Sequence, residues 1–157
     1  MSESTQGPVV LELEGGVATV RLNRPEAMNS LDNATKDALL ATLRSVAQDP
    51  EARVVVLTGT GRAFCVGQDL KEHVAGLRDG SGELGVTVRE HYNPIVTLLA
   101  TMDKPVVAAL NGVAAGAGAS LAFAADFRLL ADTASFNLAF TGIALSCDTG
   151  SSWTLPR

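Results

Sequence analysis

Apolar and polar positions first alternate near the N-terminus. Val9 to Glu14 and Val17 to Leu22 flank Gly15-Gly16; in the second arm Ala18, Val20 and Leu22 share one face, with Val17, Thr19 and Arg21 on the other. Two such runs joined by a glycine pair predict a β-hairpin. Asn23-Arg24-Pro25 ends it, and Glu26 to Leu31 reads as a loop. The period then changes. Leu39, Leu40, Leu43, Val46 and Ala47 recur at helical spacing, Asp32 or Asn33 stands where a cap is needed, and the pattern stops near Gln48, ahead of Pro50. Arg53 to Thr58 is a β-branched run expected as a buried strand.

Gly59 to Gly67 reads as a glycine-punctuated loop and Asp69 to Leu77 as a short helix. Arg78 to Gly85, acidic and glycine-rich without apolar periodicity, is the expected mobile stretch. Val88 to Met102 predicts a helix with Tyr92, Ile95, Val96, Leu99 and Met102 as its buried stripe, Pro94 starting or kinking it, and His91 on the solvated face. Val106 to Leu110 predicts a buried strand, broken by Asn111-Gly112. Gly116 to Ser120 then opens an apolar run ending at Asp126, expected as a buried helix. Phe127 to Ala131 is a further strand, and Ser135 to Ala139 a short extended piece. Strands alternating with helices point to a parallel α/β arrangement, one domain over residues 1–157.

Small residues at 116–120 let a group approach the backbone, and a helix starting there aims unpaired N–H groups forward. Three readings compete for this turn. A strand-to-helix packing turn is the simplest. A dinucleotide loop needs glycine where Leu121 stands, and a hydrolase elbow needs glycine at Ala122. An oxyanion hole needs a second N–H from elsewhere. Taken alone, the stretch reads first as packing.

Composition narrows the classes. Hydrophobic residues make up 46% and charged residues 18%, which fits a globular chain. A formal charge of −5 without a basic cluster argues against nucleic acid as partner. Cys65 and Cys147 form no disulfide framework and lack metal-ligand spacing with His73 or His91, so no metal is expected. Met1 to Gly7 lacks signal-peptide features, and no apolar run is long enough for a bilayer. These features imply a soluble, cytoplasmic protein.

Four segments carry a resemblance: RPEAMNSL at 24–31, RAFCVGQDLKE at 62–72, KPVVAALNGVAAGAGASLAFAADFRL at 104–129, and GIALSCDTGSSWTLPR at 142–157. In order and spacing they closely resemble the crotonase (enoyl-CoA hydratase/isomerase) family. The resemblance implies a crotonase-like α/β core of repeated ββα units, here its N-terminal portion, binding an acyl-CoA thioester. It needs no separate cofactor, because coenzyme A is part of the substrate. The resemblance places the oxyanion-hole N–H groups at Gln68 and Ala117. Two fixed donors there would hold the negative charge of a thioester enolate. It also implies that Glu26, Ala27 and Met28, with Ala63, Val66, Gly67, Asp69, Leu70 and Gly118, line the coenzyme A and acyl path.

Departures from the family pattern shift the expected chemistry. The two glutamates of family hydratases would stand at Ser120 and near Phe140, and both are absent. The last segment resembles that of family isomerases, which implies Asp148 as the acid–base. One carboxylate suffices for a 1,3-proton shift, since the same group takes and returns the proton. The alternatives are a nucleophilic aspartate, as in related aromatic-CoA dehalogenases, or Asp148 capping a helix over Thr149 to Trp153. A hydratase with another base and a catalytically silent binder remain open. Family members continue beyond the position of Arg157. Exposed Phe136, Phe140, Trp153 and Leu155 are therefore expected to drive homo-oligomerisation, as a trimer or dimer of trimers.

Overall fold

The computed structural model describes residues 7–79 and 84–156. Strands β1 (Val9–Glu14) and β2 (Val17–Leu22) form the predicted hairpin, with Gly15 and Gly16 both at positive φ. Helix α1 (Asn33–Gln48) follows, its first turn closed by Asp32, whose Oδ1 accepts from the Thr35 N–H at 2.8 Å. Then come β3 (Val54–Gly59), β4 (Ala63–Cys65) and α2 (Leu70–Asp79). A second helical stretch comprises α3 (Leu84–Thr87), a π turn over Val88–Tyr92, and α4 (Asn93–Thr101). Strands β5 (Val106–Leu110) and β6 (Val113–Ala115) precede α5 (Ala117–Ala124). Strands β7 (Phe127–Leu130) and β8 (Phe136–Asn137) and helix α6 (Ser151–Thr154) complete the order.

Two sheets result. The larger has the order β1-β2-β3-β5-β7, parallel from β2 onward; the smaller has the order β4-β6-β8. Strands β3, β5 and β7 each hand the chain to a short strand of the small sheet, which produces the repeated ββα pattern. Alternation along β2 and β5 buries one face, and α1 packs on it with Leu39 and Leu43 fully buried. Ile95 and Leu99 of α4 join the same core. Each such side chain contributes roughly 1.5–3 kcal/mol on burial, which fixes the helices that carry Lys36 and Tyr92.

Several expectations change. Ala63–Cys65 is a strand, not loop, and Val113–Ala115 is a further strand, because each is completed by its partner in the small sheet. The helix ahead of Met102 is not continuous α-helix. Pro94 has no N–H to give the Glu90 carbonyl, and the preceding Asn93 N–H bonds the Val88 carbonyl, a π spacing. His91 is not solvated: its side chain is 16% exposed, with Nε2 3.1 Å from Asp37. Phe140 is buried, whereas Phe136, Trp153 and Leu155 lie exposed as expected. Strand β7 is exposed along its whole length. Residues 80–83 of the expected mobile stretch, and Arg157, lie outside the described residues.

Candidate functional site

The loop after β4 is stitched to residue 31. Leu31 N–H donates to the Gly67 carbonyl at 2.8 Å, and Asp69 N–H donates to the Leu31 carbonyl at 3.1 Å. The Gln68 N–H lies between these bonds and belongs to neither. Across from it, α5 starts at Ala117, whose N–H is one of the unpaired donors of a first turn. Among the described residues neither amide has an acceptor within the protein. Gly67 sits at φ +86°, and a Cβ on it would stand 3.1 Å from the Ala117 nitrogen and 2.8 Å from the Ala115 oxygen. The two peptides therefore pack together with no room for a side chain between them.

Gln68 and Ala117 both line a cavity of about 260 Å³. One wall is Val66, Gln68, Leu70 and His73; the helical stretch adds Thr87, Val88 and Tyr92. Gly116 and Ala117 also line it, as do Phe140, Leu145 and Asp148 from the segment after β8. Among the described residues Asp148 is the one carboxylate on these walls, and the remainder is mostly apolar. The Asp148 carboxylate accepts from the Thr149 hydroxyl at 2.7 Å. It does not cap α6: Gly150 holds that position with no side-chain bond.

A buried network backs Gln68. Its Oε1 accepts from the Tyr92 hydroxyl at 2.5 Å and lies 3.4 Å from Lys36 Nζ. Lys36 also donates to the Thr87 hydroxyl at 2.7 Å and stands 5.7 Å from the Tyr92 ring centroid. The lysine side chain is 1% exposed. Desolvation lowers its pKa, against the opposing pull of Glu72, Asp32, Asp37 and Asp69. Burial is the main cause that raises the Tyr92 pKa, and the nearby Asp148 and Glu72 carboxylates add to it, so the phenol stays a donor.

The predicted residues separate into two groups. Gln68, Ala117 and Asp148 meet at the cavity with Val66 and Leu70. The others stand behind or beside it. Ala63 is buried, with its carbonyl taken by Asn29 and Asn111. Gly118 packs under Cys65, whose carbonyl a side chain there would strike. Asp69 caps the first turn of α2. Burial tends to raise its pKa, but hydrogen bonds from the Glu72 N–H, Ser30, Arg24 and the Lys71 N–H outweigh it and hold the carboxyl low. Glu26 and Ala27 lie on a short 3₁₀ turn, and the Met28 carbonyl accepts from the Val66 N–H at 3.3 Å. Ser120 turns to a buried bond with Ser151. Sequence reasoning missed Lys36, and the signal was there: positions 36, 39, 40 and 43 form one helical stripe. His73 and Thr87 carried no such signal.

The sequence model for "Enoyl-CoA hydratase/isomerase" matches residues 12–157. The 1,2-epoxyphenylacetyl-CoA isomerase of Escherichia coli is 43% identical over 95% of this chain and 57% of its own. The (E)-benzylidenesuccinyl-CoA hydratase of Thauera aromatica is 38% identical over 96% of this chain and 57% of its own. An enoyl-CoA hydratase structure from Mycobacterium avium subsp. paratuberculosis superposes with a TM-score of 0.82 at 34% identity, covering 95% of this chain and 57% of that one. The chain thus spans somewhat over half the length of these relatives. The two sheets of repeated ββα units, the loop amides beside α5 and the match along nearly the whole sequence lead to one conclusion: the chain belongs to the enoyl-CoA hydratase/isomerase (crotonase) family.

Proposed function

We propose that the protein binds an acyl-CoA thioester and moves a double bond along its acyl chain by a 1,3-proton shift. The observation that carries this reading is that Asp148 and the loops bearing the Gln68 and Ala117 amides border one apolar cavity. The thioester oxygen sits between the two N–H groups. Asp148 takes a proton from carbon, the enolate charge rests on the oxygen facing the two donors, and the same carboxyl returns the proton two carbons away. Preorganised donors act on charge that develops in the transition state, so they lower the barrier more than they tighten binding. Hydration needs a positioned water as well, and the described lining offers a single carboxylate. His73, which lines the same cavity, is the observation that favours a hydratase using another base.

Incubation with a trans-3-enoyl-CoA and a trans-2-enoyl-CoA separates the readings. Migration of the 3-double bond into conjugation supports the isomerase, and water addition to the 2-enoyl thioester supports the hydratase. Binding without either supports a silent acyl-CoA binder. Asp148→Asn keeps shape without accepting a proton; thioester binding should persist while migration is lost. Unchanged turnover in that variant removes Asp148 from the mechanism.

A further inference from the structure

The Gln68 side chain is held in a way that its backbone role does not require. A carboxamide has one acceptor end and one donor end. An ammonium group only donates, so the atom facing Lys36 Nζ must be the oxygen, and the Tyr92 hydroxyl donates to that same atom. Both contacts fix the amide in one sense. Its NH₂ end is left over, with no acceptor among the described residues, on a side chain that lines a mostly apolar cavity. An NH₂ group that loses water without gaining an acceptor is costly, so this end of the site penalises an all-carbon ligand.

We propose that the Gln68 carboxamide is a third donor to the ligand, and that it makes the site prefer acyl-CoA thioesters carrying an acceptor oxygen on the acyl chain. Tyr92 and Lys36 act as positioning residues, holding the amide so that Nε2 rather than Oε1 meets the acyl group. This inference rests on the acyl-CoA reading and specifies its substrate class. A site built to donate a hydrogen bond discriminates against the analogue without the acceptor more strongly than an apolar pocket discriminates by size. The oxygen lies within a glutamine side chain's reach of the thioester carbonyl, because one residue supplies the donors for both.

Calorimetric titration of the protein with unreactive thioesters tests this. Hexanoyl-CoA is compared with three analogues in which the methylene at carbon 3, 4 or 5 is replaced by an ether oxygen. At least one analogue should bind about tenfold tighter than hexanoyl-CoA, the worth of one neutral hydrogen bond. That ratio should fall to one or below in Gln68→Met and to an intermediate value in Tyr92→Phe, with circular dichroism confirming the fold. A ratio measured within each variant is insensitive to general weakening of the site, and Tyr92→Phe carries the test if Gln68→Met does not fold. The inference is overturned if no ether analogue outbinds hexanoyl-CoA, or if the preference survives in full in either variant. Failure to bind any thioester overturns the acyl-CoA reading and this inference with it, whereas binding without preference overturns the inference alone.

Discussion

Gly67→Ala adds one methyl group where the two loop amides touch. Two costs can be worked out. The backbone there has φ +86°, a left-handed conformation that costs a non-glycine residue about 1–2 kcal/mol. The new Cβ would also stand 2.8 Å from the Ala115 oxygen, where an ordinary contact needs about 3.3 Å, so the loop must retreat by roughly half an ångström. Overpacking of this kind adds about 1–3 kcal/mol. Gly15→Ala is the matched control: φ is +57° and no atom lies within 4 Å of its Cβ, so it carries the backbone cost alone. Urea unfolding should place Gly67→Ala about 2–5 kcal/mol below the parent and Gly15→Ala about 1–2 kcal/mol below it. Half an ångström also moves a donor out of its narrow working range, and losing one donor costs about 2.7–4 kcal/mol in the barrier. The rise in absorbance as a 3-enoyl thioester becomes conjugated should therefore slow about 100- to 1000-fold in Gly67→Ala and stay near parental in Gly15→Ala. Equal destabilisation of the two variants, with parental turnover in both, would refute the idea that close approach of these peptides matters.

Ala117→Pro removes the second donor at the first position of α5, where helices accept proline, so turnover should fall about 100- to 1000-fold, and the ring carbon added beside Gly67 should lower the unfolding midpoint as well. Burial pushes the Cys65 thiol up to about 12, slightly offset by the Gly67 N–H, so the folded state keeps a proton that the unfolded chain releases near pH 9. Stability should decline as pH rises across that window, by up to about 4 kcal/mol, and Cys65→Ala should flatten that part of the unfolding-versus-pH curve. Leu129 and Trp153 are 65% and 66% exposed, and apolar surface of this kind marks an interface, so light scattering should report self-association that Leu129→Glu weakens. A monodisperse monomer at all concentrations would contradict this.

The elements whose own residues decide them were legible. The hairpin, α1 with its Asp32 cap, and strands β3 and β5 match the alternation and helical spacing to within a residue. Strands β4 and β6 were not, because three residues between glycines are too few to show a period and only the partner strand completes them. Lys36 escaped because charged positions are read as solvated, while this ammonium is buried by groups distant in sequence. Burial of Phe140 is likewise a property of the tertiary packing. The Asp148 candidate came from family resemblance; spacing alone left it as a cap, a role the bonds of α6 do not support.

The π turn at Val88–Tyr92 lets one helical segment keep two different phases. In α-helix each residue advances about 100°, so one extra residue in a turn rotates everything on one side of it by that amount relative to the other. Here Ile95 and Leu99 keep their phase toward the core, while Thr87, Val88 and Tyr92 keep theirs toward the cavity. Deleting any single residue between 88 and 91 would take out that extra residue and its offset. The anchored C-terminal half would hold, and the error would fall on the N-terminal half, turning Thr87 away from Lys36. A segment whose composition survived intact would then fail through angle alone, so length variants in this turn should be far less tolerated than substitutions.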